Sequence, residues 1–145
     1  MINFLEGTIK TERTNISVDS DYKDLTTLAE EGFIERRETN VGRHYYHFET
    51  AEGSMRFVVF IRLKEKRIEW IALRWLDRPM KDWDDASEKK MTEEYHKLAN
   101  FVKEHVKTQP DSKKMGVRRW RIKWGVLEVS YEARSFDVGI FMKPL

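Results

Sequence analysis

The chain has 145 residues, a length typical of one domain. Its 27 basic and 25 acidic residues leave a net charge of +2, which excludes a strong overall attraction for nucleic acid or anionic lipid. It contains 0 cysteines, which excludes disulfides, thiolate metal sites and a cysteine nucleophile. No leader-like segment begins the chain and the longest apolar run, residues 57–61, is too short to span a membrane, so we expect one cytoplasmic domain, residues 1–145.

The first half of the chain predicts one helix followed by strands. Residues 19–31 have apolar side chains on one helical face, with Asp19 or Ser20 as the cap and Gly32 as a left-handed end. Alternation predicts strands over residues 33–39, 43–49, 55–63 and 68–76, with a turn at Val41-Gly42. In the last of these, Ile68 is expected to share a face with Trp70 and Ala72. The final two strands are apolar on both faces, which predicts a central place in the sheet.

The second half predicts a long helix and three more strands. The helix begins near Asp85 and runs to about Lys107, with an apolar stripe from Met91 to Val106 and with Glu94 on the solvent side. After a loop at residues 108–112, strands are expected over residues 117–124, 125–133 and 136–142. These elements predict an α+β fold in which one antiparallel β-sheet is covered by two amphipathic helices, as a single pair of layers.

The four histidines do not form a metal site or a catalytic site by their spacing. His44 and His47 are three residues apart on a strand, so their side chains point to opposite faces. His96 and His105 are nine residues apart on a helix, which also places them on opposite sides. We therefore expect structural histidines, no metal and no cofactor.

An acidic cluster around Trp83 consists of Asp82, Asp84, Asp85 and Glu88. The regular spacing and the glycine of a calcium loop are missing. The acids are best explained as helix-start residues that complement the helix dipole, while a subset could contact a partner.

The basic strip, residues 113–123, carries six cations and no acidic residue, and Trp120 lies within it. Such interleaving is typical of surfaces that bind nucleic acid. Strand alternation, however, directs Arg118, Trp120 and Trp124 inward, and it directs Arg119, Arg121 and Lys123 outward. The outward cations could face water, an acidic protein or nucleic acid.

The carboxy-terminal residues 124–140, with Trp124-Gly125, an alternating strand, the turn Ala133-Arg134-Ser135 and a second strand, resemble the closing hairpin of small bacterial toxin-immunity proteins. This resemblance implies a single α+β domain without catalytic residues that binds one cognate toxin in the cytoplasm.

The favoured function is therefore non-enzymatic protein binding by an immunity or inhibitor protein, since aromatic and arginine side chains dominate interface energetics and no catalytic motif is recognisable. The expected contacts are Trp83, Arg119, Arg121 and Lys123, or the acids Asp82, Asp84 and Asp85 if the partner binds nucleic acid. Two alternatives remain open: a nucleic-acid-binding module that uses the basic strip, and a small-molecule-binding protein or enzyme with a cavity between sheet and helix.

Overall fold

The computed structural model describes residues 1–38 and 44–145, and these contain eleven strands and two helices. The helices are α1 (Tyr22–Glu30) and α2 (Glu88–Val106). The strands are β1 (Ile2–Asn3), β2 (Thr8–Lys10), β3 (Asn15–Ser17), β4 (Glu35–Glu38), β5 (His44–Glu52), β6 (Met55–Lys64), β7 (Arg67–Trp75), β8 (Ser112–Lys114), β9 (Val117–Ile122), β10 (Gly125–Glu132) and β11 (Asp137–Pro144).

The main sheet has eight strands in the order β4-β5-β6-β7-β11-β10-β9-β8, and every neighbouring pair is antiparallel. The apolar strands β6 and β7 are central, as their two apolar faces predicted. A separate three-stranded sheet is formed by β1, β2 and β3.

The expected arrangement of one sheet covered by two helices is wrong, because the chain is mostly sheet. Helix α1 has nine residues and buries only Leu25, so it is too short to supply half of a covering layer. The N-terminal sheet, β1-β2-β3, packs on the same side as α2 instead. Its strands have two or three residues each, and so short a strand has almost no periodicity to detect in a sequence.

The helix boundaries follow the local capping chemistry. Asp21, rather than Asp19 or Ser20, caps α1 and forms a reciprocal pair of hydrogen bonds with Asp24. Ser87, rather than Asp85, caps α2, and its hydroxyl accepts a hydrogen bond from the Lys90 amide. A serine hydroxyl at the N-cap satisfies an amide that has no partner within the helix.

The β6–β7 hairpin contains a β-bulge that changes which side chains face the core. Arg62 pairs with Trp70, but the next residue, Leu63, pairs with Ile68, so Glu69 is the extra residue. Ile68 therefore shares the core face with Ile71, contrary to the strict alternation expected from the sequence. The predicted turn at Val41-Gly42 lies outside the described residues.

The core lies between one face of the main sheet and the layer formed by α2, α1 and the N-terminal sheet. Phe101 of α2 contacts Phe57 of β6 at 5.3 Å and Phe4 of the N-terminal segment at 5.9 Å between ring centroids. Edge and offset contacts of this kind stabilise aromatic clusters. Within the described residues, no helix has the length and apolar character needed to cross a bilayer.

Candidate functional site

The face of the main sheet opposite the core carries half-buried aromatic side chains, and we call it the open face. Tyr45, Phe60, Trp70 and Phe141 lie on this face, on the adjacent strands β5, β6, β7 and β11. In the described part of the chain, no helix or second sheet packs against it. Apolar side chains left in contact with solvent on such a surface are typical of a binding site.

The strand register aligns these aromatic side chains. Phe60 and Phe141 are both cross-strand partners of Ala72, and Trp70 is the partner of Arg62. Tyr45 lies 5.9 Å from Phe60, and Trp70 lies 6.2 Å from Phe141 in an edge-to-face contact, measured between ring centroids. The rings hold one another in place, so the surface is preorganised for binding.

A pocket of about 300 Å³ opens on this face, and we call it the aromatic pocket. Ala72 forms its floor because the small side chain lies between two larger neighbours. Arg62 and Arg74 border it, and neither carboxylate that pairs with these arginines is part of the lining. The lining consists of His44, Tyr45, Phe60, Arg62, Trp70, Ala72 and Arg74.

The arginines at the aromatic pocket each form one ion pair. Arg62 Nε lies 3.2 Å from Glu69, and Arg74 Nη1 lies 3.3 Å from Asp137. The four side chains are between 31% and 53% exposed. Ion pairs that are this accessible to solvent contribute little to stability. These guanidinium groups can therefore exchange their carboxylate for that of a partner at small cost.

A second depression on the open face, the basic groove, has a volume of about 820 Å³ and is bordered by Lys114, Arg119, Arg121 and Lys143. Glu128 is buried at its base, where it pairs with Arg119 at 2.8 Å and with Lys143 at 3.1 Å. Burial alone would raise the pKa of Glu128, but the hydrogen bonds from Arg119 and Lys143 outweigh it and lower the pKa below its ordinary value.

The predicted contacts of the basic strip lie in different surroundings. Arg119 and Arg121 border the basic groove, as outward-facing residues of β9. Lys123 lies beyond the end of β9 and pairs with Glu6 at 2.9 Å. The two indoles face inward as predicted, since Trp120 donates to the Thr108 carbonyl and Trp124 donates to the Phe4 carbonyl.

The basic strip does not form one continuous cationic surface. Arg118 lies on the core side, where its guanidinium stacks 5.2 Å from the Tyr95 ring and approaches His96. Arg119 and Lys123 are already paired with carboxylates. This division counts against the use of the whole strip to follow a phosphate backbone.

Trp83 and the acids Asp82, Asp84 and Asp85 lie in the loop before α2, and Glu88 is the first residue of that helix. Asp82 accepts a hydrogen bond from the Asp85 amide, and Asp85 pairs with Lys90, whose hydrogen bond lowers the pKa of this carboxyl. Asp84 is exposed in the same loop. The indole of Trp83 is 66% exposed and stands edge-on to Phe136 at 5.4 Å. Trp83 thus offers a second, smaller apolar surface.

The histidines are paired individually. His44 pairs with Glu38 at 3.1 Å and His47 with Glu35 at 3.0 Å, on opposite faces of β5 as alternation predicted. His105 bonds to the Phe101 carbonyl. Among the described residues, no three His, Asp or Glu side chains lie together where they could hold a metal ion.

Sequence reasoning missed two features of functional interest. Glu94, expected in solvent, is 1% exposed and pairs with Arg78 at 2.8 Å. Burial raises the pKa of Glu94, while Arg78 opposes this shift. Glu94 is three residues after Met91 and four before Leu98, and this spacing on the apolar stripe was the available signal. The second feature is the open face, whose aromatic side chains were read as a mark of a buried central strand.

The alternative of a cavity between sheet and helix concerns the interface of the main sheet with α2. Side chains between the sheet and α2, among them Leu98, Val102, Leu127 and Ile140, are 0% exposed. The aromatic pocket and the basic groove lie instead on the open face. Comparison with protein-family models, with curated proteins and with solved structures finds no match for this chain.

Proposed function

We propose that the chain is a non-enzymatic protein-binding domain whose open face contacts the partner. One observation carries this proposal: four half-buried aromatic side chains lie side by side across β5, β6, β7 and β11 with nothing packed on them in the described chain. Aromatic and arginine side chains supply most of the binding energy in protein interfaces.

The charges around the aromatic side chains favour a protein over a nucleic acid. Arg62, Arg74 and Arg119 each lie beside a carboxylate, so this part of the surface carries both signs in similar number. Nucleic-acid-binding surfaces need an excess of unpaired cations to displace counterions. A mixed polar border around an apolar centre is instead typical of protein interfaces.

The partner that we propose is a bacterial toxin domain, bound in the cytoplasm. The support is the resemblance of residues 124–140 to the closing hairpin of immunity proteins, together with a surface built of binding residues rather than catalytic ones. Arg119 and Arg121 border the open face and are proposed contacts. If Trp83 and the acids Asp82, Asp84 and Asp85 also contact the partner, they do so through a second region, the loop before α2.

The test first asks whether a neighbouring reading frame encodes a large secreted protein with a variable carboxy-terminal domain. That domain is then mixed with the purified chain, and association is followed by calorimetry. We expect binding at or below micromolar concentration, weakened about tenfold or more by Trp70→Ala and by Phe141→Ala. Trp83→Ala removes an exposed aromatic side chain outside the open face, so it serves as the matched control and should change affinity about twofold or less.

Three results would contradict the proposal. The first is no association at micromolar concentration. The second is tight binding of generic oligonucleotides that weakens steeply as salt rises, which would favour the nucleic-acid alternative. A loss of toxin binding in Trp83→Ala but not in Phe141→Ala would move the interface to the loop before α2.

A further inference from the structure

We infer that the aromatic pocket receives one aromatic side chain of an extended partner segment that carries an acidic residue two positions before and two positions after it. This inference rests on the proposed function, because it names the chemistry of the partner at the centre of the open face. Three properties of the pocket support it: its shape, its charge and the spacing of its cations.

The shape follows from Ala72 and its neighbours. Ala72 is the cross-strand partner of Phe60, so a small side chain stands beside a large one. Along β7, Trp70 and Arg74 flank Ala72, and Tyr45 of β5 completes the aromatic part of the lining. The opening has a volume of about 300 Å³, which is large enough for one indole or phenol ring.

The charged side chains that line the pocket are arginines, and the carboxylate that pairs with each of them lies just outside the lining. Arg62 and Arg74 line the pocket, whereas their partners Glu69 and Asp137 do not. A side chain that enters the pocket thus meets aromatic walls and cations at its borders. Acidic neighbours on the partner segment would complement them.

The spacing of the cations matches an extended chain. Arg62 of β6 lies directly opposite Trp70 of β7 in the strand register. Trp70 and Arg74 are four residues apart on β7. The two arginines are therefore separated by about 13 Å along the strand direction. In an extended segment, residues two before and two after a central residue are also four residues apart and point to the same side. A pattern of acid, any residue, aromatic, any residue, acid fits both the opening and its two ends.

The opening is shallow, which favours a side chain presented by a protein over a free small molecule. Small-molecule sites enclose most of the surface of their ligand. Here the pocket lies on an exposed sheet face, where a segment that carries the side chain can continue beyond the pocket along the strand direction.

The test uses three capped peptides, Glu-Thr-Trp-Thr-Glu, Lys-Thr-Trp-Thr-Lys and Glu-Thr-Ala-Thr-Glu, titrated into the full chain and followed by calorimetry and NMR. We expect saturable binding of the first peptide only, in the high micromolar to millimolar range. Ala72→Leu fills the pocket and should weaken this binding about tenfold or more. Ala51→Leu is the matched control. Ala51 also lies on the open face, in strand β5, and it is exposed outside the pocket.

A second variant keeps the test independent of whether Ala72→Leu folds. Arg74→Glu changes a half-buried side chain at the border of the pocket and should weaken binding of the acidic peptide while it strengthens binding of the lysine peptide. A merely structural role of Arg74 would not produce this exchange of preference. Equal binding of the tryptophan and alanine peptides, or no binding of any peptide at about millimolar concentration, would overturn the inference.

Failure of this inference can be told apart from failure of the proposed function. If the toxin domain binds Ala72→Leu as tightly as the unchanged chain but binds Phe141→Ala weakly, the open face is the interface and the pocket inference is overturned. If the chain binds the acidic peptide in its pocket but no toxin domain, the pocket inference is supported and the proposed partner is wrong.

Discussion

Two buried carboxylates, Glu94 and Glu128, have pKa values that are shifted in opposite directions. For Glu94, burial is the largest influence and raises the pKa, while Arg78, which pairs with it, opposes this shift. For Glu128, burial again raises the pKa, but the hydrogen bonds from Arg119, Lys143 and Ser130 together outweigh it and the pKa is lowered. The balance between burial and the donors that contact the charged form therefore sets the direction at each site.

The lowered pKa of Glu128 predicts a loss of stability in acid. Because its folded pKa lies below the ordinary value of 4.5, the stabilisation is complete above that value and is lost as pH falls through the folded pKa. Glu128→Gln should lower the free energy of unfolding by roughly 1–3 kcal/mol at pH 7, since hydrogen bonds to a charged group are lost. Urea unfolding at neutral pH and at about pH 3 measures this, and the difference between the two proteins should shrink in acid.

The exposed residue Glu49 on β5 of the same open face provides the control for Glu128. Glu49→Gln should change the free energy of unfolding by about 0.5 kcal/mol or less at either pH. An equal effect of the two substitutions would show that the cluster of Glu128, Arg119 and Lys143 does not stabilise the fold.

At the scale of elements, periodicity located the long helix and the main hairpins but not the short strands. Helix α2 has 19 residues, and β6 has ten, so each repeats its pattern several times. Strand β8 has three residues: Ser112 lies in the expected loop, and the other two precede the strand expected from residue 117. The β-bulge at Arg62 moves Ile68 to the core face, and no local pattern reveals such an insertion. The sequence indicated that β6 and β7 have a second apolar face. Whether another element covers this face depends on the whole fold and not on the local pattern.

The turn between β6 and β7 is a further element that the structure defines. Its central residues, Glu65 and Lys66, have φ angles of 52° and 68°, in the left-handed region that both central positions of a type I′ turn require. Neither residue favours this region, whereas Asn-Gly does. The double substitution Glu65→Asn, Lys66→Gly should therefore raise the free energy of unfolding by about 1 kcal/mol, measured by thermal or urea unfolding.

The same Asn-Gly pair placed at Ala133 and Arg134, in the turn between β10 and β11, is the control. Among residues 133–136 of that turn, the positive φ belongs to Phe136 alone, so the substitution should give no gain. A gain at both turns would mean that the effect does not come from the left-handed backbone of Glu65 and Lys66.

For the whole molecule, the contacts of the N-terminal segment bear on the prediction of one domain, residues 1–145. The Trp124 indole donates to the Phe4 carbonyl at 2.7 Å, and the Ile2 amide donates to Glu52 of β5 at 2.8 Å. Gly7 has a φ of +70°, and a Cβ there would lie 3.0 Å from the Trp124 ring, so only glycine fits beneath the indole. The N-terminal sheet is thus attached to both ends of the main sheet by specific contacts.

If these contacts couple the two sheets, a cavity beneath the N-terminal segment should destabilise the entire chain. Phe4 is 2% exposed and packs on Phe101 of α2, so Phe4→Ala should lower the free energy of unfolding by about 3–4 kcal/mol. Leu5→Ala, at a neighbouring side chain that is 48% exposed, should cost about 0.5 kcal/mol or less. The measurement is urea unfolding followed by tryptophan fluorescence and by far-ultraviolet circular dichroism. Coincident transitions that shift together in Phe4→Ala are expected of one cooperative domain, whereas an early transition confined to one probe would mean that the N-terminal sheet unfolds separately.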